Sequence, residues 1–94
     1  MAQQYIGTAR WGAQTSAAYT GTAGTVAAVA SGVYKVRIMV STDAYVTTDG
    51  TTPSATRGAY MVASQPEYVT VNPGQTPSAV QVSSAGTMYV TECL

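Results

Sequence analysis

The side chains able to do chemistry in this 94-residue chain are few and scattered. There is no His, one Cys (Cys93), and four acids: Asp43, Asp49, Glu67 and Glu92. Nucleophilic catalysis needs a nucleophile, a base and a group that orients the base. Ser and Thr abound, but without His the base would have to be Lys35 or a carboxylate. Lys35 shares the polar side of a predicted strand with Arg37, the pattern of a solvated face rather than of a Ser–Lys pair. Asp43 and Asp49 bracket one short strand, about 20 Å long, which is too far for paired acid–base work on a glycosidic bond. Asp49 precedes Gly50 and reads as a turn residue. Asp43, in Ser41-Thr42-Asp43, reads as bonding local backbone at a strand junction. Metal ligation needs converging acids or His, and neither Glu67 nor Glu92 has a partner in sequence. Gly21, Gly24 and Gly32 do not match a phosphate-binding loop. The expectation is a chain that is not an enzyme and takes no cofactor or metal.

Aromatic surface is what remains. The chain has seven Tyr, one Trp (Trp11) and no Phe. Tyr supplies large amphipathic area at low entropic cost, which suits a contact surface. It can equally pair across strands or cover the edge of a core. Tyr45, Tyr68 and Tyr89 fall on strand faces opposite rows of Val, and both roles stay open for them. Tyr5, Ile6 and Trp11, near the start of the chain, read as anchors that want a hydrophobic partner.

The elements that must position these rings are short strands. In Val33–Val40, residues Tyr34, Val36, Ile38 and Val40 alternate with Lys35, Arg37 and Met39, the half-buried strand signature. Further strands are predicted over Asp43–Thr48, Ala59–Ala63, Glu67–Val71, Ala79–Ser83 and Met88–Glu92. Weaker candidates are Tyr5–Trp11 and Gly24–Ala30. Asp49-Gly50 favours hairpin geometry. Asn72-Pro73-Gly74 predicts a turn with positive φ at Gly74, and Ser84-Ala85-Gly86 a hairpin closure. A strand about every ten residues is the cadence of a sandwich or barrel, here of roughly six to eight strands. The predicted core is Val36, Ile38, Val40, Val46, Val69, Val71, Val80, Val82, Met88 and Val90. The chain reads as a single all-β domain. Its main core spans 33–92, and 1–32 form a less regular segment: a possible arm that binds a neighbour, plus the first strands.

Size and charge narrow the partners. A domain this small folds near the margin of stability, so a second surface that adds burial is welcome. Four basic residues balance four acids, the net charge is zero and only 9% of residues are charged. There is no basic stripe to neutralise phosphates and no polybasic anchor, so neither nucleic acid nor membrane is expected. Low charge protects a free monomer poorly against association, and a homo-oligomer or a larger assembly is expected. Met1-Ala2-Gln3-Gln4 lacks a basic leader region, and one Cys cannot form an internal disulfide. The expectation is a chain used without passage through an oxidising compartment.

Three stretches carry a family resemblance. They are V-Y-K-V-R-I-M-V-S-T-D-A-Y-V (33–46), followed by the loop T-T-P-S-A-T (51–56); Q-P-E-Y-V-T-V-N-P-G-Q (65–75); and A-V-Q-V-S-S-A-G-T-M-Y-V-T-E (79–92). Together they resemble a group of small tailed-bacteriophage virion structural proteins found among head and head–tail components. Residues 1–32 lie outside the resemblance. It implies a virion location, with assembly in the host cytoplasm and no catalytic residues. The role it implies first is that of a capsid decoration (cement) protein bridging subunits of the major capsid protein. A head–tail or tail-fibre adaptor is the alternative within the virion. From the aromatic residues alone, a carbohydrate- or receptor-binding β domain is a third reading.

Overall fold

A computed structural model describes residues 10–94. Over them the chain forms eight strands and no helix: β1 (Trp11–Tyr19), β2 (Gly24–Thr25), β3 (Lys35–Val40), β4 (Ala44–Thr47), β5 (Ala59–Met61), β6 (Glu67–Thr70), β7 (Ser78–Gln81) and β8 (Gly86–Cys93). All pairings are antiparallel. One four-stranded sheet has the order β1-β8-β3-β6, and the second has the order β2-β7-β4-β5. The expected all-β sandwich is therefore what the chain forms. Most connections cross from one sheet to the other. Consecutive strands are neighbours only at β4 and β5.

The alternation in β3 explains its place beside β8 in the first sheet. Val36, Ile38 and Val40 are buried on one side, while Lys35, Arg37 and Met39 line the other. Met88 and Val90 of β8 join the buried side. Ala44, Val46, Met61 and Ala79 face them from the second sheet. Each large aliphatic side chain removed from water here contributes about 1.5–3 kcal/mol before entropy is charged. Ile38, with no exposed area, lies at the centre of this layer.

Three core assignments change, and the first is Val69, which is only partly buried and packs against the core from its edge. Val80 and Val82 are only half-buried, and Ser78 and Ala79 are buried instead. The register explains Val80. Ala79 lies opposite buried Val46, so Val80 lies opposite Tyr45 on the outer side. Bulk does not decide which face of β7 turns inward; pairing with β4 does.

The N-terminal stretch also differs from its expectation. Tyr5–Trp11, expected as the first strand, falls outside the described residues apart from Arg10 and Trp11. Residues 11–19 form β1, paired along β8. Tyr19, Val26 and Val29 are all buried in this domain's own core. From Trp11 to Ser31 the chain is thus part of the sandwich rather than a free arm. Small side chains let it lie close: at Gly24 a Cβ would collide with the carbonyl oxygen of Ala18. Residues 26–29 continue the contact, with Val26 N–H donating to Pro77 O (3.0 Å) and Val29 N–H to Gln75 O (2.9 Å).

The turns follow the sequence in part. Gly74 has φ +90° and Gly50 has φ +86°, the left-handed values expected at both. Gln75 N–H donates to Asn72 O at 3.1 Å, closing the Asn72-Pro73-Gly74 turn. Asp49-Gly50 does not make a tight hairpin, because residues 48–58 form a longer loop before β5. Ser84-Ala85-Gly86 does not close a hairpin either. It carries the chain from β7 in one sheet to β8 in the other.

A polar corner fixes that crossing. The Tyr19 hydroxyl, on a residue 1% exposed, donates to Thr42 O at 2.6 Å and accepts from Thr42 N–H at 3.2 Å. Thr42 Oγ1 donates to Ser84 O at 2.9 Å, and Ser41 Oγ accepts from Thr87 N–H at 2.8 Å. Gly86 sits among these groups, and a Cβ there would strike Thr42 Oγ1, the Tyr19 hydroxyl and Ser41 Oγ.

Candidate interaction surface

Acids come first, since catalysis would need them. Asp43 accepts from Ala63 N–H (2.8 Å) and from the Tyr60 hydroxyl (2.8 Å). Its partners lie about 20 residues on rather than in the local backbone, which corrects the expectation for this residue. The Ala63 N–H bond, then the Tyr60 hydroxyl, hold its carboxyl below the usual carboxylate value; Asp43 in turn pushes the Tyr60 hydroxyl up. Asp49 accepts from the Thr51 hydroxyl (2.5 Å) and the Thr51 N–H (3.1 Å), and pairs with Arg57 at 3.3 Å. The Thr51 hydroxyl chiefly holds its carboxyl low. Glu92 accepts from Ala30 N–H at 3.0 Å. Glu67 borders an apolar cleft where β3, β4, β5 and β6 meet, with Ile38, Val46, Met61 and Val69 as neighbours. These acids do structural work or stand alone. Among the described residues no three potential metal ligands converge. Among the described residues no helix is long and apolar enough to cross a membrane. Cys93 is buried and unpaired.

Tyr19 is buried in the core, while Trp11, Tyr45, Tyr60, Tyr68 and Tyr89 divide between the two outer faces. On the second sheet, Tyr60, Tyr45 and Val80 form one row across β5, β4 and β7. Tyr45 is half-buried and meets Tyr60 edge-on, with ring centroids 5.6 Å apart. The Tyr60 hydroxyl is spent on Asp43. On the first sheet, Trp11 and Tyr68 stack with centroids 6.0 Å apart and planes 23° apart. Their exposures are 53% and 46%. Arg37 Cζ lies 5.6 Å from the Trp11 ring centre, and Lys35 Nζ lies 5.9 Å over the Tyr68 ring. Both separations suit an attraction between a cation and an aromatic face.

A β-bulge puts Trp11 there. Thr15, Ala17 and Tyr19 of β1 lie opposite Val90, Met88 and Gly86, so their side chains turn toward the core. Trp11 has the same odd parity and would turn inward on a regular strand. The register shifts between Trp11 and Gln14, where three steps along β1 match two along β8. That extra residue inverts the parity and brings the indole onto the outer face. Tyr68 arrives by register: it pairs with Arg37 across β6 and β3.

Of the residues singled out from sequence, Trp11, Tyr68 and Tyr89 therefore share the outer side of the first sheet. Tyr89 is half-buried between register partners Ser16 and Met39. Tyr45 lies on the opposite side of the sandwich and does not join them. Tyr5 and Ile6 lie outside the described residues. Sequence reasoning missed Lys35 and Arg37 as members of the surface, although their shared parity in β3 already placed them side by side. It also passed over Tyr60, whose partnership with Asp43 spans a loop.

The chain was compared with protein-family models, with curated proteins and with solved structures, and it matches none of them.

Proposed function

We propose that this chain is a tailed-bacteriophage virion structural protein, a capsid decoration protein that holds the head surface through the outer face of its β1-β8-β3-β6 sheet. The major capsid protein is the partner in this reading, and copies of the chain sit side by side on the particle. The observation that carries it is the Trp11–Tyr68 stack, half-exposed on the outer face of this sheet with two cations beside it. Such a surface can add interface area without doing chemistry. The motifs behind the phage resemblance support the same reading. They make up β3, most of β4, β6 with its Gly74 turn, and most of β7 and β8, while β1, β2 and β5 lie outside them.

Quantified protein content of purified particles carrying this chain is the test. A decoration protein is present in stoichiometric proportion to the major capsid protein and can be stripped and re-added. A few copies per particle would point to a head–tail or tail-fibre adaptor. Absence from washed particles would refute a virion role. The exposed Trp11 ring favours one other reading, a carbohydrate- or receptor-binding domain. Saturable binding of the isolated domain on a glycan array, with no retention on particles, would select it.

A further inference from the structure

The zero net charge conceals a separation. Lys35 and Arg37 lie on the outer face of the first sheet, and the strand residues of that face include no acid. Arg57, by contrast, is neutralised by Asp49 beside the second sheet. Asp43 is tied to Tyr60 on that same far side, and Glu92 is tied to the backbone at Ala30. Among the described residues, neither Lys35 nor Arg37 has a carboxylate within ion-pair distance. Their charges rest on the Tyr68 and Trp11 rings.

We infer that this face binds an acidic segment of the partner protein in extended conformation, with carboxylates two residues apart. The inference rests on the proposed role of the same face and names the chemistry that the face selects. Lys35 and Arg37 are separated by two strand positions, about 7 Å. Alternate side chains of an extended peptide have the same spacing, so a Glu-x-Glu or Asp-x-Asp segment meets both cations at once. Arg37 can grip a carboxylate with two parallel N–H bonds, while Lys35 acts as a point charge. The exposed surfaces of Trp11 and Tyr68 then take an apolar or aromatic side chain next to the acids. Two copies of this chain cannot satisfy the site face to face, because that would set four like charges against one another.

Trp11 is the only Trp in the chain, so its fluorescence reports on the site directly. The full chain is titrated with poly-L-glutamate, poly-L-lysine and polygalacturonate, monitoring Trp11 emission. Poly-L-glutamate should give a saturable change that weakens with added salt, and the other two should not. Lys35→Gln with Arg37→Gln should reduce the apparent affinity at least tenfold, and Arg57→Gln should leave it unchanged. Circular dichroism confirms that each variant keeps its β fold. Equal loss in Arg57→Gln would mean nonspecific polyanion attraction and overturn the inference. Saturation by polygalacturonate alone would overturn it in favour of an acidic glycan. Particle retention separates the two levels of the account. Wild-type retention that survives Lys35→Gln and Arg37→Gln sinks the acidic-segment inference and leaves the virion role standing. No retention of wild type sinks the virion role itself.

Discussion

The two outer faces of the sandwich carry similar aromatic content and use it differently. On the β2-β7-β4-β5 side, Tyr45 and Tyr60 meet edge to face, and the Tyr60 hydroxyl closes onto Asp43, which also takes Ala63 N–H. Those groups hold this chain's own loops together. On the β1-β8-β3-β6 side, Trp11 and Tyr68 lie nearly parallel beside two cations that meet no acid among the described residues. The β2-β7-β4-β5 face is committed internally, and on the β1-β8-β3-β6 face the two cations have no carboxylate within ion-pair distance among the described residues. Exposure alone does not separate them, since Tyr60 is 50% exposed and Tyr68 46%. What separates them is whether the polar and charged groups around the rings are already satisfied.

The largest expected effect tests the floor shared by both faces. Ile38→Ala removes a fully buried side chain at the centre of β3 and should cost about 2–5 kcal/mol in chemical denaturation. A loss that large would leave much of the population unfolded, given the marginal stability of a chain this size. Next is the corner that joins the sheets. Gly86→Ala drives a methyl against Thr42 Oγ1, the Tyr19 hydroxyl and Ser41 Oγ, and should cost about 1–3 kcal/mol. A melting temperature equal to wild type would mean that the corner relaxes freely and fixes nothing.

The committed face should respond to acid. Asp43 is held below its usual value in the folded chain, so its stabilising contribution is complete above the unfolded carboxylate pKa. It is lost as pH falls through the lower, folded value. Tyr60→Phe deletes one of the two bonds that hold Asp43 down, leaving Ala63 N–H. The variant should melt slightly lower near neutral pH and show a shallower fall in melting temperature on acidification. A pH profile parallel to wild type would break the distinction drawn between the faces. A much smaller loss than at Ile38 belongs to the other side. Trp11→Ala should cost about 0.5–1.5 kcal/mol, the worth of its stack on Tyr68, since half the ring is already in water. A much larger loss would show that Trp11 is spent on the fold after all.

Much of this contrast could be read from sequence, and the unreadable parts have identifiable causes. The strict alternation of Val36, Ile38 and Val40 with Lys35, Arg37 and Met39 gave β3 and its two faces directly. Gly74 and Gly50 announced their positive φ through Pro73 and Asp49. Val80 misled, because period-two patterning shows that two faces exist but not which one pairs inward; Ala79, opposite Val46, decides that. β1 was hidden by its small residues, Gly12-Ala13-Gln14-Thr15-Ser16-Ala17-Ala18, which bury little of their own and lie flat along β8. The key feature of the surface was the least legible. Trp11 and Tyr68 are 57 positions apart (68 − 11), and only a one-residue bulge turns the indole toward the tyrosine. No local pattern encodes that meeting.

The most direct test of the central claim is retention on virions, measured for matched pairs of variants from the two faces. Particles stripped of this chain are incubated with Trp11→Ala/Tyr68→Ala or with Tyr45→Ala/Tyr60→Ala, then washed and quantified against wild type. Both double variants must first show a β-type circular dichroism spectrum and a cooperative melt. The account predicts that the Trp11/Tyr68 pair abolishes retention, while the Tyr45/Tyr60 pair lowers the melting temperature and keeps retention near wild type. Retention that survives the loss of Trp11 and Tyr68, or that is lost only with Tyr45 and Tyr60, would contradict it.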